Sequence, residues 1–185
     1  PRAVVPALGN DPMAHCDPLG YPRNLWVAGR SFEFIQSPNK IVQTFEWSRA
    51  FREVWTSSQR IPEDPDPRWY GWGVGKWDGD TLVVDSKGYD DRTWIDDLGD
   101  PHSAQMILQE RWTRVDHNTM KVSLKVDDPT MYKKPFSLGE YYFRWVPNQK
   151  IAEWLCVPSE VQKYLREQAD PAGSTENEAP QSLGG

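Results

Sequence analysis

Residues 73–86 read GVGKWDGDTLVVDS, and the dipeptide Asp78-Gly79 separates two runs with strand-like composition. Asp-Gly tolerates the positive φ angles of a type I′ turn, and alternating residues on both sides are typical of a β-hairpin. This stretch therefore predicts two antiparallel strands joined by a tight turn.

Further strand signals precede and follow this hairpin along the chain. In the segment 119–126, four apolar residues alternate with polar ones, which indicates one buried face and one exposed face. Comparable runs occupy residues 31–36, 40–47, 50–56, 104–115, 137–146 and 150–157, and a turn at Pro147-Asn148 is expected between the last two. Successive hairpins in one chain predict an all-β antiparallel meander of about eight strands.

Eight such strands predict a calycin-like barrel with room for a small ligand, and a two-sheet β-sandwich is the alternative. We expect the barrel domain to span 31–158 and one short helix to span 159–169. Residues 1–30 are rich in Pro and Gly, which predicts an extended leader packed on the surface. The acidic, low-complexity stretch 170–185 is expected to be disordered by itself.

The net charge of the chain argues against nucleic acid as a partner. The chain has 21 basic and 27 acidic residues, a net charge of -6, which disfavours nucleic acid as a partner. A membrane-spanning helix needs about 18 or more consecutive apolar residues, and no run approaches that length. The chain begins at Pro1 rather than Met, so removal of a leader peptide is one interpretation.

The chain has two cysteines, Cys16 in the Pro-rich N-terminal segment and Cys156 at the end of the last strand-like run. A disulfide between them would tie the leader to the closing strand of the barrel. Closing so long a loop would stabilise the fold by roughly 4–5 kcal/mol in the chain-entropy model. We predict this disulfide, and with it an oxidising compartment.

The glycines between residues 71 and 75 resemble a phosphate-binding loop only superficially. Such a loop needs a strand before it and a helix after it, whereas a strand and an Asp-Gly turn follow here. Alternation of these glycines with Trp69, Trp72 and Trp77 instead indicates close backbone approach or a flat aromatic surface.

The histidines show no metal-ligand spacing, so we expect no transition metal and no cofactor. The acidic segment 90–100 supplies hard oxygen atoms, and the sequence leaves open whether it binds calcium or is a solvated loop.

Three glutamates, Glu53, Glu110 and Glu153, each alternate with apolar neighbours. If these faces point inward, desolvation favours the protonated carboxyl group, which suits a general acid or base. Glu110 and His102 are the candidate catalytic residues. The alternative is that the glutamates form ordinary ion pairs with arginines such as Arg111, Arg114 and Arg144.

The chain contains ten Trp, seven Tyr and six Phe residues, too many to fill one barrel interior. Some must lie at a cavity mouth or on the outer surface, where exposed aromatic side chains mark ligand or partner sites. The candidate contact residues are Trp69, Trp72, Trp77, Trp94, Tyr141 and Trp145.

Four stretches together resemble a large, functionally uncharacterised family of exported bacterial proteins: CDPLGYPR, PEDPDPRWYGWGVGKWDGDTLVVDSKGYDDRTWIDDLGDPHS, ERWTRVDHNTMKVSLKVDDPTMYKKPF and IAEWLCVPSE. The resemblance covers roughly residues 12–160. Its members carry cysteines at the positions of Cys16 and Cys156, which implies export and a disulfide. They usually have Gly-His-Pro-His where this chain has Gly99-Asp100-Pro101-His102, a departure that weakens the case for catalysis there.

Three functions are compatible with these features. The leading hypothesis is a periplasmic or secreted β-barrel that binds a protein partner or forms a homo-oligomer, or binds an apolar or aromatic small molecule. The second is a lyase, isomerase or hydratase with Glu110 or His102 as its acid or base. The third is a carbohydrate-binding module in which Trp69, Trp72 and Trp77 stack on a sugar.

Overall fold

The computed structural model describes residues 11–27 and 30–164, and the regular secondary structure in this part of the chain is mostly β-strand. The predicted all-β class with one short helix is confirmed. The strands are β1 (Phe32–Gln36), β2 (Lys40–Phe45), β3 (Phe51–Trp55), β4 (Trp72–Asp78), β5 (Thr81–Lys87), β6 (Ile107–Asp116), β7 (Thr119–Asp127) and β8 (Phe136–Arg144). Helix α1 spans Pro158–Tyr164, and short 3₁₀ helices span Pro12–His15 and Arg23–Trp26. The stretch 170–185 lies outside the described residues.

The eight strands form one sheet in the order β1 to β8, which curls into a half-barrel. Strands β1 and β8 are its edges and do not pair with each other within the described residues. Their side chains nevertheless meet across the gap, since the rings of Phe32 and Phe143 lie 4.8 Å apart. The architecture is therefore a curled single sheet rather than a two-sheet sandwich.

One strand pair departs from the predicted antiparallel meander. Strands β3 and β4 run parallel, with Val54 opposite Gly73 and Trp55 opposite Val74. A tight hairpin turn forces antiparallel pairing, whereas a parallel neighbour needs a long crossover. Residues 56–71, which include the Pro-rich stretch RIPEDPDP, provide that crossover.

The predicted hairpin of β4 and β5 forms, but its turn lies one residue further along than expected. Asp78 pairs with Thr81 and belongs to the ladder, so Gly79 and Asp80 are the two turn residues. Only Gly79 has a positive φ, 57°. Glycine at the first turn position is typical of a type II′ turn rather than the predicted type I′ turn.

The concave inner face of the sheet carries the core. Its buried apolar side chains come from β2, β3, β5, β6 and β7: Ile41, Val54, Val84, Leu108, Val122, Leu124 and Val126. The N-terminal segment was expected on the surface, but Leu19 and Tyr21 are 1% and 0% exposed. The segment thus covers the open side of the half-barrel and completes its interior.

The structure joins Cys16 to Cys156 in a disulfide, in agreement with the prediction. Residues 150–157, expected to form a strand, make only an isolated bridge between Trp154 and Trp47. The cation of Arg30 lies 3.8 Å from the ring centre of Trp154 and also pairs with Glu46. These contacts hold the C-terminal segment against the sheet without a ladder.

Within residues 11–27 and 30–164, no helix has the length and apolar character needed to cross a bilayer.

Candidate functional site

Glu110 lies at the centre of the inner face, on β6, and its side chain is 0% exposed. Arg52 on β3 binds both carboxylate oxygens, at 2.7 Å from Nη1 to Oε1 and 2.6 Å from Nη2 to Oε2. The hydroxyl of Tyr21 donates to Oε2 at 2.6 Å, and the indole of Trp112 donates to the same oxygen at 2.8 Å. Four donors therefore surround one buried carboxylate.

Arg52 makes further contacts besides its hydrogen bonds to Glu110. Its Nε donates to Gln43 Oε1 at 2.8 Å, and its guanidinium carbon lies 3.6 Å from the ring centre of Tyr21. Burial alone lowers the pKa of Arg52, but the adjacent Glu110 carboxylate raises it above its ordinary value. Burial also raises the pKa of Tyr21 well above its usual range, so the hydroxyl stays protonated as a donor.

This arrangement holds a fixed charge pair rather than a group poised for proton transfer. The carboxylate accepts four hydrogen bonds, three at Oε2 and one at Oε1, and its side chain is 0% exposed, so a substrate does not reach it. The surface has an open cleft between the β4–β5 and β6–β7 turns and another on the outer face of β6 and β7. Glu110 lines neither of them. The geometry is that of a buried polar anchor joining three strands and the N-terminal segment.

The other two glutamates lie outside the core. Glu53 is on the outer face of β3 and pairs with Lys40 on β2. Glu153 is 64% exposed and pairs with Arg49 at 2.9 Å. Two of the predicted arginine partners have other contacts, since Arg111 binds Asp78 at 2.8 Å and Arg114 donates to the carbonyl of His117 at 2.6 Å.

His102 is 3% exposed and fastens the long loop between β5 and β6. Its Nδ1 donates to the carbonyl of Ser103 at 3.1 Å, which assigns the proton to Nδ1. Its Nε2 lies 2.7 Å from the hydroxyl oxygen of Thr93, which also lies 2.9 Å from the carbonyl of Asp90. The carboxylate of Asp128 accepts hydrogen bonds from the amide and the hydroxyl of Ser103, at 2.6 and 2.8 Å respectively.

Three of the candidate tryptophans are partly buried, and each is covered by an arginine. The guanidinium carbons of Arg92, Arg68 and Arg23 lie 4.2, 3.3 and 4.9 Å from the ring centres of Trp69, Trp72 and Trp94 respectively. Residues 72 and 77 are an odd number of positions apart on β4, so their side chains point to opposite faces. The tryptophans 69, 72 and 77 therefore do not form a common platform.

The remaining three candidates are Trp77 on β4, Tyr141 on β8 and Trp145 directly after β8. Their positions alternate with residues of the outer face, so they belong to the inner face of the sheet. Tyr141 is partly buried against Trp26, with ring centres 5.2 Å apart. Trp77 and Trp145 are 56% and 54% exposed. Because β4, β6 and β8 run in the same direction, both lie at the end that carries the β4–β5 and β6–β7 turns.

We call Trp77, Val115, His117 and Trp145 the tip surface. The rings of His117 and Trp145 meet edge to face, 5.3 Å apart, and Val115 is 48% exposed. Between the two turns lies an open cleft of about 480 Å³ lined by Trp77, Gly79, Asp80, Arg114, Asp116 and His117. The exposed rings of the tip surface therefore lie beside charges of both signs in the cleft, from Asp80, Arg114 and Asp116.

The acidic loop is held by local hydrogen bonds. Asp90 binds Arg92 at 2.7 Å, and Asp96 accepts the amides of Leu98 and Asp100 at 2.9 and 3.2 Å. Within residues 11–27 and 30–164, no group of three or more His, Cys, Asp or Glu side chains is placed to hold a metal ion.

Sequence reasoning missed Arg52, Tyr21 and His117 as members of these two sites. Arg52 alternates with Val54 on β3, opposite a face that carries Phe51 and Trp55, so the more apolar face looked like the inner one. Tyr21 lies in a segment without periodicity, so no sequence pattern indicated its burial. His117 is a turn residue, and only the position of Trp145 makes it part of a surface.

The fold and these sites define a curled half-barrel with a sealed ionic centre and an exposed aromatic end. Comparisons of the chain with models of protein families, with curated proteins and with solved structures give no match.

Proposed function

We propose that this protein works by binding, as an accessory or structural subunit that contacts a partner protein through the tip surface. The single observation that carries the proposal is the exposure of Trp77 and Trp145 at the same end of the sheet. Large rings held in solvent on rigid strands supply contact area at low entropic cost, as in many protein interfaces.

The charges around the rings support a protein partner over an apolar small molecule. Arg114 and His117 face the cleft beside Asp80 and Asp116, so a partner with polar groups around an apolar centre fits it. Protein interfaces commonly have such a mixed rim around an aromatic centre. Small apolar ligands favour enclosed cavities, whereas this cleft is open to solvent.

The two other functions receive less support from the geometry. An enzyme based on Glu110 or His102 would need these side chains to reach a substrate, and both are buried and hydrogen-bonded. A carbohydrate-binding module needs neighbouring rings on one plane, and Trp69 and Trp72 are instead covered by arginines.

We further propose a periplasmic or secreted location and membership of the exported family that the sequence resembles. The disulfide supports this proposal, since such bonds persist mainly in oxidising compartments.

The test is recovery of a native complex with the full chain. Tagged protein is expressed in its source cells, cross-linked briefly and purified, and the partners are quantified by mass spectrometry. We expect the wild type to recover one protein in near-equal amount and Trp77→Ser to lose it. The matched control is Phe51→Ser, because Phe51 is 61% exposed but lies at the opposite end of the sheet.

Equal recovery by the wild type and Trp77→Ser would overturn the proposal. Recovery of no protein by the wild type, together with saturable binding of a sugar or an apolar dye to it, would favour the small-ligand functions instead.

A further inference from the structure

We propose that the free edge of β8 pairs with β8 of a second copy of this chain, with Tyr142 on the two-fold axis. This inference concerns the sheet edge and does not depend on the proposed function of the tip surface. Within the described residues no strand lies beyond β8. The segment concerned is Glu140–Arg144, in which Tyr142 is 62% exposed.

The backbone of this segment presents its hydrogen-bonding groups to solvent at alternate residues. The amide of Trp145 donates to the carbonyl of Asn118, so residue 145 points toward the chain that leads into β7. Alternation in an antiparallel ladder then directs the amides and carbonyls of Glu140, Tyr142 and Arg144 away from β7. Three donors and three acceptors are therefore aligned along the open edge.

The two ends of the free segment determine which residue lies at its centre. Gly139, with a φ of 100°, lies at a register shift between β7 and β8 and ends the regular ladder on one side. On the other side the chain leaves the strand after Arg144 and reaches Pro147, which has no amide to donate. Residues 140–144 remain, and the middle residue of this segment is Tyr142.

The side chains match this symmetric register. When two antiparallel copies pair about Tyr142, Glu140 lies opposite Arg144 of the second copy, and the same pair forms again across the axis. Opposite charges directly across an antiparallel pair are favourable, and so is a pair of facing aromatic rings. Moving the two-fold axis by two residues, to residue 140 or residue 144, would instead place Glu140 opposite Glu140 or Arg144 opposite Arg144. Charge complementarity therefore favours a second copy with the axis at Tyr142.

The experiment is sedimentation velocity on the full chain, from low to high micromolar concentration. We expect the wild type to show a monomer–dimer equilibrium. Arg144→Glu places two glutamate pairs across the axis and should weaken the dimer by about ten-fold or more. The matched control is Lys76→Glu, the same change of charge at an exposed residue of β4, four strands away from β8.

Glu140 also binds Lys121 on β7 at 3.0 Å, so the exchange of charges must include that residue. The triple variant Lys121→Glu, Glu140→Arg and Arg144→Glu keeps this ion pair and restores both cross-axis pairs, so it should recover dimerisation to within about three-fold of the wild type. A second measurement uses Tyr142→Cys, which should cross-link to a covalent dimer in air, whereas Lys76→Cys should not.

A wild type that stays monomeric throughout, or a triple variant no better than Arg144→Glu, overturns the inference. Open-ended oligomers would also overturn it, because they indicate pairing of β8 with β1 of the next copy.

Discussion

At the scale of single residues, the fold depends on a charge pair that water does not reach. Arg52 and Glu110 are 2% and 0% exposed and are joined by two short hydrogen bonds. Such a pair contributes little net stability compared with an apolar replacement, but losing one partner leaves the other charge uncompensated in the core. The pair also fixes which side chains of β3 and β6 face each other.

Replacing Glu110 by Gln is therefore expected to destabilise the protein by about 3–5 kcal/mol, since the cation of Arg52 would remain buried without a counter-charge. The control is Glu53→Gln, whose half-exposed pair with Lys40 should cost less than about 1 kcal/mol. Urea unfolding followed by fluorescence measures both. Equal losses for the two variants would contradict the buried charge pair.

His102 gives the protein a defined pH dependence. Burial lowers the pKa of His102, so the unfolded chain binds a proton before the folded one as the pH falls. The stability linked to this residue is complete above the unfolded value of about 6.5 and is lost as the pH falls through the lower folded value.

We therefore expect unfolding free energy to decrease on acidification below about pH 6.5, and to decrease less in a His102→Gln variant. Urea unfolding at a series of pH values gives the comparison, and nitrogen-15 spectra of the ring report the pKa of His102 directly. A ring that titrates above its ordinary value, or identical pH profiles for both proteins, would contradict the assignment.

At the scale of elements, the β4–β5 hairpin shows what alternation and turn chemistry specify by themselves. Both strands form in the predicted places, because the apolar alternation and the glycine of the turn agree with each other. Gly79 in the turn is needed for its backbone conformation alone. Gly71, just before β4, is needed for its backbone conformation and also because its neighbours leave no space for a Cβ atom. Gly71 has a φ of 65°, and an added Cβ would lie 2.7 Å from Tyr89 Cε1.

Gly71→Ala should therefore cost about 2–4 kcal/mol, from backbone strain together with the clash against the buried ring of Tyr89. Gly79→Ala is the matched control, because its φ is also positive but nothing lies within 4 Å of its added Cβ. It should cost only about 1 kcal/mol. Thermal and urea unfolding distinguish the two, and equal costs would show that space at Gly71 is not limiting.

Strand β3 shows where alternation is ambiguous. One of its faces carries Phe51, Glu53 and Trp55, and the other carries Arg52 and Val54. Apolar content favours the first face for the core, yet the structure buries the second, because Glu110 across the half-barrel compensates Arg52. A pairing between residues 58 positions apart has no signal in local sequence.

At the scale of the whole molecule, a covalent bond links segments that no ladder holds. The disulfide joins residues 140 positions apart, connecting the N-terminal segment that covers the core to the segment before α1. Both segments lack strands within the described residues. The bond therefore adds a covalent link to the hydrogen bonds and packing that hold this segment over the open side of the half-barrel.

The double variant Cys16→Ser with Cys156→Ser is expected to lose about 2–5 kcal/mol of stability, since closing so long a loop restricts the unfolded chain. Guanidinium unfolding of both proteins under non-reducing conditions gives the difference. A double variant within about 0.5 kcal/mol of the wild type would show that packing alone holds the cover.

Sequence by itself determined the β class, most strand positions, the cysteine pair and the burial of the β7 face, because each follows from local alternation or from a count of two cysteines. Only tertiary structure decided that β3 and β4 run parallel, that Arg52 neutralises Glu110, and that Trp77 and Trp145 share an exposed end. These features depend on contacts between residues far apart in the chain, and such contacts form only when the sheet curls and brings its strands to one centre.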